Sequence, residues 1–449
     1  MNINKYEAVI GLEVHVELKT KSKMFCSCSA DYFGKKPNTY TCPVCLGLPG
    51  ALPVPNRLAI EWCQKIGAAL NCELQELSKF DRKNYFYPDL PKGYQISQYD
   101  QPFCLNGSIE VNGKKIRIMR VHMEEDTGKL IHLGDSTLID FNRSGVPLVE
   151  IVTKPDFNNS ADVKIYLQEI QRIVRRLGVS NADMEKGDMR LEPNISASPS
   201  PSPSFSEEDE LNINNILIPD YKVEIKNINS FKFVEKAIEL ELKRQTEVLD
   251  KGDTPKQETR GWDEDKQNTF SQRIKEEASD YRYFPEPDIP PFRFTNDYIN
   301  KIREGNPVTT PEQKNYLIDT YSLPISTATT LAENLDFSNR FESSVVYAKE
   351  ENITPVNLAN AIINKKVDAS LTGRALASTA SIGYQVNHVD QSELEKVIGE
   401  VLKANQKAVS DFKSGQENAI MFLVGAVMRS LKVKADAQKI KASLLAKIK

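Results

Sequence analysis

Ala8-Val9-Ile10-Gly11-Leu12-Glu13-Val14-His15-Val16-Glu17-Leu18 reads as a β-strand with two unlike faces. Side chains alternate along a strand, so Glu13, His15 and Glu17 share one face while Val14 and Val16 point to the other. Two carboxylates and an imidazole on one surface suit a hard cation such as Mg²⁺, with the imidazole as a nitrogen ligand or proton-transfer group. The same pattern also fits an antiparallel strand whose polar side faces solvent. A second acidic motif bears on the choice: His122-Met123-Glu124-Glu125-Asp126, after the strand-like run Ile116–Val121. Three successive carboxylates repel one another unless a cation or an arginine neutralises them. Glu150 closes the run Pro147-Leu148-Val149, and two of the four histidines lie in the two acidic motifs. That clustering favours a metal site over a solvated edge.

With 449 residues, 40% hydrophobic and 27% charged, the chain is expected to be soluble and to form two or three domains. No uncharged apolar run approaches the ~20 residues that span a bilayer. Met1–Tyr6 has neither a secretory nor a transit pattern, so a cytoplasmic location without membrane association is expected. Net charge is −4, yet residues 396–449 hold 11 Lys or Arg against 4 Asp or Glu, a local +7. A basic end on an acidic body suits a polyanionic partner, and equally a solvated basic helix face.

Cys26-Ser27-Cys28 and Cys42-Pro43-Val44-Cys45 form two knuckles separated by 13 residues, the spacing of a tetrahedral four-thiolate Zn²⁺ site. Such a site is coordinatively closed and folds a loop rather than performing chemistry, with unligated cysteines as the alternative. Cys63, Cys72 and Cys104 lack this spacing and are expected to be buried or inert. From Phe80 to Pro102, 6 of 23 residues are aromatic, interleaved with Arg82, Lys83 and Lys92. This could serve phosphates and unpaired bases, or be a pair of packed aromatic strands.

Helical periodicity marks Ala59–Leu70, Val163–Leu177 with Ser160 as cap and Gly178 as stop, and a segment capped by Ser230 and stopped near Gly252. Strands are expected at Met189–Asn194 and Tyr221–Asn227. The Ser/Pro tract Ser196–Ser206 reads as an exposed loop. Four prolines from Pro285 to Pro291 predict that the mixed α/β part ends near residue 292, with Ala-rich helices beyond and a helix start at Pro311. No Walker loop, Rossmann glycine pattern or G-x-S-x-G elbow occurs, so any ATP must be held by another architecture.

The motifs Gly11–His15, Phe80–Pro88, His122–Asp126, Gln257-Glu258-Thr259-Arg260-Gly261 and Asp280–Asp288, in this order, closely resemble the B subunits of aspartyl/glutamyl-tRNA amidotransferases, the GatB family. The resemblance runs from about Tyr6 to the C-terminus. It implies an α+β protein: a mixed-sheet, cradle-shaped catalytic domain over 1–292 with its zinc loop, a helical linker domain over 293–395, and a basic YqeY-like tRNA-binding tail over 396–449. It implies a carbon–nitrogen ligase that phosphorylates the side-chain carboxylate of misacylated Glu-tRNA(Gln) or Asp-tRNA(Asn) with ATP and Mg²⁺. Ammonia from a glutaminase partner, GatA, then displaces phosphate, with GatC as the small third subunit.

Residue by residue, Glu13, His15, Glu125 and Glu150 stand at the family's metal-site positions, with Glu124 adjacent and Glu192 and Glu224 completing an acidic cradle; all seven are catalytic candidates. Cys26, Cys28, Cys42 and Cys45 match its zinc-binding members. Arg82, Lys83, Tyr85 and Tyr87 fall near the tRNA acceptor end, and Lys432, Lys434, Lys439 and Lys441 are the tail's candidates for tRNA contact. Glu17 matches no role and is expected on a solvated strand. Three departures stand out: Glu192-Pro193 replaces a shorter Asp-Ala pair, the Ser/Pro tract that follows directly is expected to displace a nearby loop, and Gln416 and Asn418 replace lysines of the tail. Two rivals remain. A non-catalytic, zinc-containing tRNA-binding scaffold would tolerate loss of the acidic face, and the related GatE subunits carry an insertion for which 449 residues leave no room.

Overall fold

The computed structural model describes residues 5–200, 216–274, 281–304, 309–384, 391–414, 416, 419–431 and 437–448. They fall into two compact units, Met1–Glu312 and Gln313–Lys449. The first runs β1 (Tyr6–Glu17), α1 (Arg57–Ala69), β2 (Glu73–Leu74), β3 (Leu77–Ser78), β4 (Asp81–Asn84), β5 (Tyr94–Ser97), β6 (Cys104–Val111), β7 (Lys114–Glu125), β8 (Lys129–Leu133), β9 (Ser136–Asp140) and β10 (Pro147–Thr153). It continues through α2 (Ser160–Arg176), β11 (Met189–Pro199), β12 (Val223–Lys226), α3 (Phe231–Leu249), β13 (Glu258–Asp263), β14 (Asn268–Ile274), β15 (Phe284–Pro285), β16 (Phe292–Arg293) and α4 (Asn296–Glu304).

Nine strands form one sheet in the order β14-β13-β12-β11-β1-β10-β7-β6-β2. The sheet is mixed: β12 and β13 are parallel across the α3 crossover, and the pairs around β1 are antiparallel. The opening stretch of sequence is its central strand. Ile10, Leu12, Val14 and Val16 are all buried in a core shared with α1, α2 and α3. The alternation then leaves Glu13, His15 and Glu17 on the opposite face.

The helices start and stop where side-chain chemistry allows. Asn159, one residue before the expected cap, accepts the Asp162 amide at 2.8 Å. Val163, Tyr166, Leu167, Ile170, Ile173 and Val174 bury one stripe of α2, each stabilising by on the order of 1.5–3 kcal/mol. Gly178, at φ +70°, lets the chain leave in a left-handed turn. Ser230 caps α3 as expected, its hydroxyl accepting the Phe233 amide at 3.2 Å.

Two sequence expectations change. The proline run does not lead out of the domain. β15 returns to pair with β4 and β16 with β3, and α4 buries Ile299 and Ile302 in the first core while Tyr298 donates to Gln64 at 2.7 Å. The first unit therefore extends past residue 292. Nor is the Ser/Pro tract a loop throughout: Ser196, Ala197 and Ser198 are buried in β11, paired with β1, because alternating small residues fit beside the sheet's centre. Residues 201–206 lie outside the described part.

The second unit is all-helical: α5 (Thr310–Tyr321), α6 (Ile325–Glu333), α7 (Leu335–Val345), α8 (Pro355–Ile363), α9 (Gly373–Tyr384), α10 (Gln391–Ala404), α11 (Gln406–Lys413), α12 (Ala419–Ser430) and α13 (Ala437–Ile448). It holds two separate cores, one around Leu331, Phe341 and Leu358, the other around Ile398, Leu423 and Leu444. Among the described residues no helix is long and apolar enough to cross a membrane.

Candidate functional site

Antiparallel register assembles the open face of the sheet. Glu13 on β1 lies opposite Glu192 on β11, and His15 lies opposite Glu150 on β10 and Arg190 on β11. Glu150 lies opposite His122 on β7, and Glu224 on β12 opposite Asn194. Two acidic groups result. The ligand atoms of Glu13, Glu192 and Glu224 lie within 4.8 Å of one another, and so do those of His15, Glu124 and Glu150. Both open onto a cleft of about 1850 Å³ walled by Lys83, Tyr85, Tyr281 and Tyr283 on one side and Lys222 and Lys226 on the other.

Of the four residues expected at the Mg²⁺ site, the structure gathers Glu13, His15 and Glu150 on one face. Glu125 does not join them. Neighbours in β7 point to opposite faces, and its carboxylate accepts from Lys92 and, at 3.0 Å, from the Ile96 amide. Glu124 takes its place. His122, which sequence reasoning left out of the site, sits there too, 3.3 Å from Glu150 and 3.5 Å from Glu124. The signal was available, since His122 and Glu124 are two apart on one strand and must share a face.

The electrostatics describe a site short of positive charge. Burial, then the charges of Glu150, Glu192 and Glu224, push the Glu13 carboxyl above its ordinary range. Burial works against protonation of His15, but the contact with Glu150 at 3.6 Å outweighs it and lifts the imidazole to about 9. His122 is likewise raised, Glu150 and Glu124 overcoming burial. Glu124 falls to about 2 despite burial, chiefly through Lys83, whose ammonium is 3.4 Å away. Lys226 bridges Glu192 at 2.8 Å and Glu224 at 3.1 Å. Lys83, Lys226 and the raised imidazoles are the counter-charges beside these carboxylates. The donor set of carboxylate oxygens and one imidazole fits Mg²⁺. Asn194 donates to Glu13 at 3.1 Å, and its Oδ1 is buried without a partner, a further oxygen of the kind such a cation takes.

Glu17 is buried rather than solvated. It accepts from the Tyr32 hydroxyl, and burial with the charge of Asp126 raises its carboxyl well above the usual range. Asp126 is held low, Arg143 and Arg190 outweighing its burial.

The aromatic stretch divides. Arg82 is committed to a carboxylate pair: Nε and Nη2 lie 2.7 and 2.9 Å from the buried Glu286, with the guanidinium 4.3 Å from the Tyr94 ring centre. Lys83 and Tyr85 line the cleft, whereas Phe86 and Tyr87 are 93% and 60% exposed at its rim. In the tail Lys441 is exposed. Lys432 and Lys434 lie outside the described residues, as does the side chain of Lys439.

The four knuckle cysteines converge, their sulfurs within 4.8 Å of one another. Cys42 and Cys45 sulfurs are 3.8 Å apart, the edge of a ZnS₄ tetrahedron with bonds of about 2.3 Å. The Cys42 amide donates to the Cys45 sulfur at 3.1 Å, and the Cys45 thiol is lowered to about 5 by its Cys26 hydrogen bond and by Lys23, against burial. These residues fit zinc. Cys63, Cys72 and Cys104 are buried in the core.

Residues 8–300 match the GatB/GatE catalytic domain family and residues 349–448 the GatB domain family. The chain is 40% identical over 482 residues to the B subunit of the aspartyl/glutamyl-tRNA(Asn/Gln) amidotransferase from Thermotoga petrophila, covering 97% of each chain. Its identity to the protein of the same name from Carboxydothermus hydrogenoformans is 40%, covering 99% of each. For the one from Persephonella marina it is 42%, covering 96% of this chain and 97% of the other.

Proposed function

The chain belongs to the GatB family, and we propose that it acts as the B subunit of a tRNA-dependent amidotransferase that converts Glu-tRNA(Gln), Asp-tRNA(Asn) or both to their amidated forms. The observation that carries this reading is the pair of acidic groups, Glu13–Glu192–Glu224 and His15–Glu124–Glu150, side by side beneath one cleft.

In the reaction the substrate's side-chain carboxylate oxygen attacks the γ-phosphorus of ATP and the bond to ADP breaks. Ammonia then attacks the acyl carbon, phosphate leaves, and a proton is lost to give the amide. Mg²⁺, held by Glu13, His15, Glu124 and Glu150 with Glu192 and Glu224, would neutralise phosphate oxygens and align the attack. The protein's own groups do the rest. Lys83 and Lys226 present ammonium groups to the cleft where phosphate charge must be held. His122 orients Glu124 and Glu150, and its burial keeps that contact dry. Tyr85, Phe86 and Tyr281 offer ring faces to an unpaired 3′ end.

The sequence holds no glutaminase nucleophile motif, so ammonia would come from an amidase partner, GatA, with GatC completing the complex. The zinc site serves the fold. A non-catalytic tRNA-binding scaffold gives no reason for six metal-type ligands to converge under a cleft. In the reconstituted complex, Glu13→Gln and Glu124→Gln are each expected to lower ATP-dependent amidation of misacylated tRNA by about 10²–10³-fold, with tRNA binding retained. Unchanged amidation in both would defeat the catalytic reading.

A further inference from the structure

Lys23 is the only buried lysine among the described residues, with none of its surface exposed. Its ammonium donates to the Tyr40 carbonyl at 2.8 Å and the Phe141 carbonyl at 3.3 Å, and its third neighbour is the Cys45 sulfur at 3.6 Å. Among the described residues no carboxylate lies within 4.0 Å of it. A buried ammonium needs an anion nearby, and carbonyl dipoles alone do not supply one. Zn²⁺ bound by four thiolates carries a formal charge of −2, and a lysine against one sulfur halves it.

We propose that Lys23 is the charge-balancing donor to a zinc tetrathiolate at Cys26, Cys28, Cys42 and Cys45, and that through Lys23 zinc occupancy positions the 141–146 loop on the wall of the catalytic cleft. The inference rests on the zinc reading of the four cysteines. Several bonds lock that loop to the zinc knuckles. Ser144 donates to the Cys45 carbonyl at 3.1 Å, the Tyr40 amide to Asn142 at 2.8 Å, and the Met24 amide to the Gly145 carbonyl at 2.7 Å. Gly145 has φ +84°, a left-handed conformation that side-chain-bearing residues rarely adopt, and a Cβ there would sit in ordinary contact with Cys45 Cβ at 3.4 Å, Lys23 Cδ at 3.6 Å and Glu125 Oε2 at 3.9 Å. The loop carries Arg143, which lines the cleft and donates to the Thr127 and Gly128 carbonyls at 2.9 and 2.7 Å beside Asp126. Metal, Lys23, loop and cleft wall thus form one contiguous network.

The test uses the full chain. Competition with a chromogenic zinc chelator compares wild type with Lys23→Met, which keeps the aliphatic volume and removes the charge. The expected loss is about 10–100-fold in zinc affinity, the usual effect of deleting an outer hydrogen-bond partner. In the wild type, stripping zinc with a chelator is expected to raise amide exchange across 141–146, and restoring zinc to reverse it. This second measurement tests the coupling of zinc to the loop even if Lys23→Met fails to fold, and Lys23→Gln then carries the affinity comparison. Wild-type zinc affinity in a folded Lys23→Met chain, or exchange at 141–146 that ignores zinc, overturns the proposal. A wild-type chain that takes up no zinc overturns the zinc reading itself, and this inference with it.

Discussion

Glu150 lies between two imidazoles, His15 at 3.6 Å and His122 at 3.3 Å, and Glu150→Gln is expected to release the proton that His15 holds. Burial alone would drag His15 below its ordinary 6.5; contact with Glu150 reverses the sign and brings it to about 9. That rise is worth ~3 kcal/mol of preference for the protonated imidazole. The group binds its proton more tightly folded than unfolded, so its contribution to stability is complete below pH 6.5 and is lost as pH rises through about 9. The chain has four histidines, so selective ¹⁵N-histidine labelling of metal-free protein leaves few ring signals to follow. The wild-type His15 midpoint should stand near 9, and in Glu150→Gln it should fall below ~7, burial now being less opposed. Adding Mg²⁺ should lower the wild-type midpoint, because cation and proton compete for the same carboxylates. A wild-type His15 that titrates near 6.5, or a midpoint unmoved in folded Glu150→Gln, would refute the reasoning.

Other substitutions probe the parts separately. Glu124→Gln should weaken Mn²⁺ binding, read by electron paramagnetic resonance, at least ~10-fold, whereas Glu125→Gln should leave it unchanged because that side chain is held by Lys92 and the Ile96 amide on the other face; equal effects would contradict the assignment. Arg82→Met strands the buried Glu286 carboxylate and should cost about 3–5 kcal/mol, seen as a lower melting temperature of the isolated chain. An unaltered melt would return Arg82 to a purely tRNA-facing role. Tyr166 is fully buried with its hydroxyl unpaired, so Tyr166→Phe should be neutral or raise stability by up to ~1 kcal/mol in denaturant titrations; a clear loss would mean the hydroxyl has a partner, such as an enclosed water.

What could be read from the sequence was short-range. The alternation of β1 put Glu13 and His15 on one face because a strand's period does not depend on its neighbours, and the helices around Ile170 and Val234 followed their stripes. The cysteine knuckles declared themselves by spacing; the strand-like runs 189–194 and 221–227 mark Glu192 and Glu224 as acidic strand residues, and family resemblance alone places them in the cradle. What failed needed pairing information. Choosing Glu124 over Glu125 requires knowing that Glu150 sits opposite His122, a register set between distant strands. Arg82 looked available to a phosphate until a carboxylate 204 residues away claimed it. The proline run looked like an exit because nothing local shows that Phe284 and Phe292 pair back onto β4 and β3. Lys23 carried no pattern at all, for a buried lysine is visible only once its surroundings are.

The open face explains why the fold tolerates so much unbalanced acid. Helices cover one side of the nine-stranded sheet and take the even-numbered apolar side chains of β1, so Glu13 and His15 on the other face have no place in that core. Five glutamates can then stand together on a rigid surface with Lys83, Lys226, His15 and His122 as partial counter-charges. A better-neutralised face would be more stable but would have no affinity left for a cation or for the phosphates it accompanies. The raised carboxyl of Glu13 and the protonated His15 are the measure of that deficit. Because strands rather than a loop impose it, the side chains need little ordering when charge arrives, which is what the proposed carboxylate activation without a phosphate-binding loop would require.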